Sequence, residues 1–195
     1  MSGLIRFSLR SAVLGSALLA LAAPAAYAGP LLDACAAEAA SQYEPGFADI
    51  GKDLWAIDAK AAIAACEKAL KDDPSSSQLK GWLARAYYAD GDYERAIPLF
   101  EEASADGNVV ALSIYGDMLT TGDGVDEDMA RGAELLTKGA EAGFALAQNS
   151  LGLSYDFGEG LTQDYTEAAK WYRAAAEQGM AKAQSNLGLM YQDGL

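Results

Sequence analysis

Two short stretches of this chain carry residue types at a spacing that chemistry can use. In Ser77-Gln78-Leu79-Lys80 a lysine stands one helical turn after a serine, where it can take the hydroxyl proton and leave a nucleophile. In the run 123–128, Asp-Gly-Val-Asp-Glu-Asp, carboxylates are dense enough to suggest calcium. Neither stretch is complete. The serine lacks the Ser-Asp-Asn and Lys-Thr-Gly elements that accompany this spacing in enzymes that use it. The acidic run lacks the alternating ligand order, the glycine placement and the distal glutamate of a known calcium loop. The chain has no histidine, which removes the usual general base, the usual zinc nitrogen and every Ser-His or Cys-His arrangement. No glycine-rich phosphate cradle follows a strand, because no convincing strand is present. The expectation is a protein with no catalytic residues, no metal and no cofactor.

The remaining reactive side chains are Cys35 and Cys66. Residues 1–28 read as a secretory leader: Arg6 and Arg10 supply positive charge, 12–23 is a short apolar run, and Ala26-Tyr27-Ala28 is a small-x-small cleavage site. An even cysteine count in an exported chain reads as one disulfide, and closing a loop of this length contributes about 3 kcal/mol. The expected location is periplasmic, with secretion or a lipid anchor at Cys35 as alternatives; Pro30 and Asp33 ahead of that cysteine argue against the anchor. No later stretch approaches the ~20 apolar residues of a membrane span, so no stable insertion is expected after cleavage. The formal net charge of −14 grows by two when Arg6 and Arg10 leave with the leader, and it disfavours nucleic acid and anionic lipid as partners.

The elements that would position any site repeat. Ala145, Ala147, Gln148, Leu151, Gly152, Leu153, Tyr155 and Gly158 recur 36 residues later as Ala181, Ala183, Gln184, Leu187, Gly188, Leu189, Tyr191 and Gly194. Backwards, Gly152, Gly158, Gly160, Asp164 and Gly179 meet Gly116, Gly122, Gly124, Asp128 and Gly143. A fixed period of this size marks a solenoid, in which each unit buries its apolar face against its neighbours. Ahead of it, Leu79, Leu83, Ala84 and Tyr87, then Gly91-Asp92, then Ala96, Ile97, Phe100 and Ala103 spell a helix pair with a tight turn. Asp58, Ala62, Ile63, Cys66 and Ala69 repeat its second half. Pro98 falls where a proline kinks a helix. The first mature helix, 31–43, ends at Pro45-Gly46, and 47–57 reads as an irregular segment packing Phe47, Ile50, Leu54 and Trp55 on the next helix.

Individual residues fit this frame. Asp164 with Glu167 resembles a capping box, and Gly143 and Gly179 fit the left-handed position that ends a helix. Gly152 and Gly188 stand mid-helix, which predicts a neighbouring helix close to each backbone. Units 58–108 resemble tetratricopeptide repeats. The run Ala-x-Ala-Gln-x-x-Leu-Gly-x-x-Tyr-x-x-Gly-x-Gly-x-x-x-Asp-Tyr-x-x-Ala-x-x-Trp-Tyr-x-x-Ala-Ala-Glu-x-Gly over 145–179 closely resembles the Sel1-like repeat. The unit from Val109 is degenerate, with Gly132 for an alanine and Leu135-Leu136 for Trp171-Tyr172.

The organisation expected is therefore a leader at 1–28, an N-terminal helix and irregular cap at 29–57, tetratricopeptide-like repeats at 58–108 and Sel1-like repeats at 109–195, the last incomplete. Either the chain is a fragment of a longer array or another chain covers its open end. The resemblance implies an all-α solenoid of antiparallel helix pairs in a right-handed superhelix, and an adaptor that holds a protein or peptide partner of the bacterial cell envelope. The first helices line the concave face, which points to Gln78, Arg85, Tyr88, Ser113, Asp117, Asn149, Asp156, Ser185 and Gln192 as a peptide-binding groove. The rival is a cell-wall or β-lactam-binding or hydrolysing protein of the cysteine-rich Sel1-like type, since Ser77 and Lys80 have the spacing of penicillin-binding enzymes. Those relatives carry a cysteine pair in each unit, whereas no cysteine follows Cys66 here.

Overall fold

A computed structural model describes residues 29–44, 46–48 and 51–195. The leader reading, Pro45 and Ile50 lie outside the described residues. Nine α-helices and one 3-10 turn, with no strand among the described residues, follow in chain order: α1 Pro30–Ala39, the turn Leu54–Ala56, α2 Ala59–Asp72, α3 Ser77–Asp90, α4 Tyr93–Ala105, α5 Val109–Thr121, α6 Met129–Glu141, α7 Ala145–Phe157, α8 Tyr165–Glu177 and α9 Ala181–Asp193. Each helix packs on the next, and α3, α5 and α7 also touch in succession, so that first helices form one layer and second helices the other. This is the all-α solenoid of antiparallel pairs.

The ends of the helices are set by local chemistry. Asp58, Ser76, Asp92, Asn108, Asp128 and Asp164 each accept a hydrogen bond from a backbone N–H of the first turn. Each such cap stabilises its helix by about 1 kcal/mol. Gly91, at φ 79°, ends α3 with its N–H turned back to Tyr87 and Tyr88. Pro98 lies exposed inside an unbroken α4.

Small residues set how closely the pairs approach. A Cβ at Gly152 would stand 2.6 Å from the Tyr172 ring, so α8 crosses α7 directly over that backbone. Gly188, its repeat equivalent, has nothing within 4 Å, so the expected close neighbour is not found among the described residues. The degenerate unit has a physical reason too. A Cβ at Gly132 would lie 2.7 Å from the Gly116 carbonyl oxygen, an approach the alanine of the other units would obstruct. Leu136, fully buried, then fills the space that Tyr172 fills in the next pair.

At the N-terminal end the Cys35 and Cys66 sulfurs are 2.01 Å apart, joining α1 to α2. The segment between α1 and α2 does not pack as its sequence suggests. Phe47 meets the Trp82 ring of α3 edge-on at 5.0 Å, and Trp55 is 73 % exposed.

Candidate groove on the first helices

Arg85 shows how this face is built. Sitting mid-α3 and 2 % exposed, it donates from Nη1 to the carbonyl oxygens of Ala39 (2.7 Å) and Ala40 (3.0 Å), and from Nη2 to that of Lys52. One guanidinium fork thus binds both described ends of the stretch between α1 and α2, residues 40–44 and 51–56, as a strap across α3. Glu44, also buried, accepts from Trp82 Nε1 at 2.9 Å, from Gln78 Nε2 and from the Ser41 backbone N–H. Burial lowers Arg85 to about 10 against the attraction of Glu44 and Asp53, so it stays charged at neutral pH. Burial raises Glu44, against hydrogen bonds from Trp82, Gln78 and Ser41 and the charge of Arg85.

Beyond the strap the layer of first helices opens into a groove. A cavity of about 780 Å³ lies between α5, α7 and α9, with Asp117, Asn149, Ser150, Lys182, Ser185 and Asn186 in its lining. A second, of about 250 Å³, runs under the strap and shares Tyr88, Asp117, Leu146 and Lys182 with the first, so the two are one continuous trough. Its floor is polar and internally paired: Asn186 Nδ2 donates to Asn149 Oδ1 at 3.1 Å, and Ser150 Oγ donates to Asp117 Oδ2 at 3.1 Å. Burial pushes Asp117 up to about 7, against the Ser150 hydrogen bond and the positive charge of Lys182. Burial pushes the Tyr88 phenol well up, and the hydrogen bond its Oη donates to Asp123 at 2.7 Å adds to the shift.

The groove residues expected from sequence divide accordingly. Tyr88, Asp117, Asn149 and Ser185 line the open trough, and Ser113 lines its narrow end. Arg85 borders that end but spends its donors on the strap, as Gln78 does on Glu44. Asp156 faces a further cavity of about 330 Å³ toward the helix C-termini, where it accepts from Tyr172 Oη at 3.1 Å. Gln192 is exposed near the end of α9. Residues the sequence reading left out are Leu146, Ser150, Lys182 and Asn186. The repeat contained the signal: Leu146 and Lys182, and Ser150 and Asn186, stand 36 apart, as Asn149 and Ser185 do.

The two stretches with chemical spacing are accounted for elsewhere. Lys80 pairs with Glu102 at 2.8 Å, and that hydrogen bond raises its pKa, the opposite of what a lysine acting as base on Ser77 needs. Asp123 accepts from Tyr88 and Tyr93, and Asp128 caps α6. Among the described residues no group of three or more metal-ligating side chains is placed to hold an ion, and no helix is long and apolar enough to cross a membrane.

Comparison with known proteins places these units. Tetratricopeptide repeat matches residues 56–110, and Sel1 repeat matches 109–144, 145–180 and 181–195. No curated protein matches the sequence. Among solved structures, a protective antigen of uropathogenic Escherichia coli displaying an SLR fold superposes with TM-score 0.62 at 25% identity, over 78% of this chain and 32% of that one. A Sel1 repeat protein from Oxalobacter formigenes gives TM-score 0.56 at 36% identity, over 59% of this chain and 46% of the other. Helicobacter pylori cysteine rich protein B shares the fold, with TM-score 0.53 at 16% identity over 64% of this chain and 96% of that one. The chain thus spans about a third of the antigen and under half of the Oxalobacter protein.

Proposed function

Since this chain is a Sel1-like repeat protein with a tetratricopeptide repeat ahead of its Sel1 units, a fold that typically mediates protein–protein interaction, we propose that it is an adaptor of the cell envelope that holds an extended segment of a partner protein in the trough of its first helices. One observation carries this reading: the face already holds irregular chain, its own, by its backbone carbonyls. Arg85 reads the strap through backbone carbonyls, which every peptide has, so this part of the recognition does not depend on the strap's side chains. The open part of the trough continues that track with side-chain amides and hydroxyls, groups that serve backbone N–H and C=O alike.

Export to the envelope rests on the leader-like residues 1–28 and is supported by the bonded pair Cys35–Cys66, which persists in oxidising compartments. A photo-crosslinking residue at Ser185, in the trough, set against one at Lys138, exposed on the second-helix layer, tests the adaptor reading in the native envelope. A partner captured from Ser185 and not from Lys138 supports the groove. Equal capture from both, or from Lys138 alone, sinks it.

A further inference from the structure

The narrow end of the trough holds a feature that backbone recognition does not need. Its cavity of about 250 Å³ is roofed by Leu54 and Trp55 of the strap and walled by Tyr88, Ser113, Asp117 and Lys182. Among the described residues the Asp117 carboxylate takes a hydrogen bond only from Ser150, which leaves most of its accepting capacity open toward the cavity. One turn earlier on the same helix, Ser113 is 1 % exposed and its Oγ has no hydrogen-bond partner among the described residues. A buried hydroxyl beside an under-used carboxylate is costly unless something donates to both. The chain's own Lys182 ammonium stands at the mouth, 5.5 Å from the centroid of the Trp55 ring, and acts on Asp117 as a nearby charge.

We propose that this cavity receives a primary alkylammonium group, the lysine side chain of the partner segment that the trough holds. Its three N–H donors would meet the Asp117 carboxylate and the Ser113 hydroxyl, with the Trp55 face above as a cation–π wall. This inference rests on the adaptor reading for the source of the lysine, and on the cavity alone for its chemistry. Lys182 stands in for the ligand and competes with it. The charged and titratable groups facing Asp117 are few: Asp53 on the strap, engaged by Gln42, Arg85 and Tyr88 on α3, and Lys182 on α9. Of the cations, Arg85 is held by carbonyls, so only Lys182 is free to leave.

The test is calorimetric titration of the intact disulfide-bonded chain with Nα-acetyl-lysine amide, its uncharged isostere Nα-acetyl-norleucine amide, n-butylammonium, and an extended lysine-containing peptide. Expected is a preference of about tenfold or more for lysine over norleucine at about pH 8, lost in Asp117→Asn and Trp55→Ala, and increased in Lys182→Ala. The preference should weaken as pH falls below the Asp117 value of about 7. Circular dichroism confirms that each variant is folded. Norleucine binding as well as lysine, or lysine binding unchanged in Asp117→Asn, would overturn the pocket. Weaker binding in Lys182→Ala would overturn the competition. Equal affinity for n-butylammonium and the lysine amide would overturn the peptide source. The two readings separate: a lysine amide that binds and is not displaced by the peptide removes the adaptor groove, while a peptide that binds with Asp117→Asn unaffected removes the pocket.

Discussion

The Trp82 indole N–H donates to the Glu44 carboxylate at 2.9 Å, joining the centre of α3 to the irregular segment that follows α1, and both residues are buried. Glu44 also satisfies Gln78 and the Ser41 backbone, so Glu44→Ala would leave three donors without their acceptor. The expected cost is about 2–3 kcal/mol in a urea unfolding curve. An unchanged midpoint would mean that water replaces the carboxylate freely.

Arg85 holds the two ends of the strap by their carbonyls, while Trp82 and Gln78 hold its Glu44. Arg85→Ala should cost about 3 kcal/mol, because a buried cation with several carbonyl acceptors is removed at once. Arg85→Lys should recover only part, since an ammonium cannot reproduce the fork. Hydrogen exchange localises the effect: Gly51 and Lys52 amides should lose protection while those of α7 keep it. Uniform loss across the chain would show that the strap is not a separable unit.

The bond between Cys35 and Cys66 ties α1 to the array. Cys35→Ser with Cys66→Ser should lower stability by about 2–4 kcal/mol. Intact mass with and without reductant should show one bond in the native protein, and two free thiols in protein from an oxidising compartment would refute it.

Two glycines at equivalent repeat positions should respond oppositely to the same change. Gly152→Ala drives a methyl into the Tyr172 ring and should destabilise by about 1–3 kcal/mol. Gly188→Ala meets open space on an exposed helix and should stabilise by about 0.5–1 kcal/mol. Thermal midpoints moving the same way would contradict the packing described.

Asp117 ties stability to pH. Its folded pKa of about 7 lies above the ordinary carboxylate value, so the protonated form is favoured in the folded chain. The stability this contributes is present below about pH 4 and is lost as pH rises through 7. Asp117→Asn should therefore be the more stable protein at about pH 8, by about 2 kcal/mol after allowance for screening at a half-open site, and equal to the parent below about pH 4. A constant difference across pH would rule out titration as its origin.

The helices, their caps and their tight crossings were legible because each is written locally. Asp92 and Asp164 cap from within their own turn, Gly91 turns its own helix, and the 36-residue period repeats the pattern. The strap was not legible. Its course is fixed by the carbonyls of Ala39, Ala40 and Lys52, which carry no side-chain signature, and by an arginine that reads in sequence as a groove residue open to a partner. The trough was legible by column: Asn149 and Ser185 were named, and their neighbours Ser150 and Asn186 repeat one position on. Gly132 was legible only as a departure, because its reason is the carbonyl of Gly116 on another helix.

The meeting of Trp55 with Lys182 gives this solenoid a step that stacked repeats ordinarily lack. Such arrays build from contacts between neighbours in sequence and can grow one pair at a time as the chain emerges from the ribosome or a translocation pore. Here a residue ahead of the repeats has to wait for one several helices later. The tip of the strap completes its surroundings only after α9 has arrived, so the narrow end of the trough matures later than the repeats that lie between them in sequence.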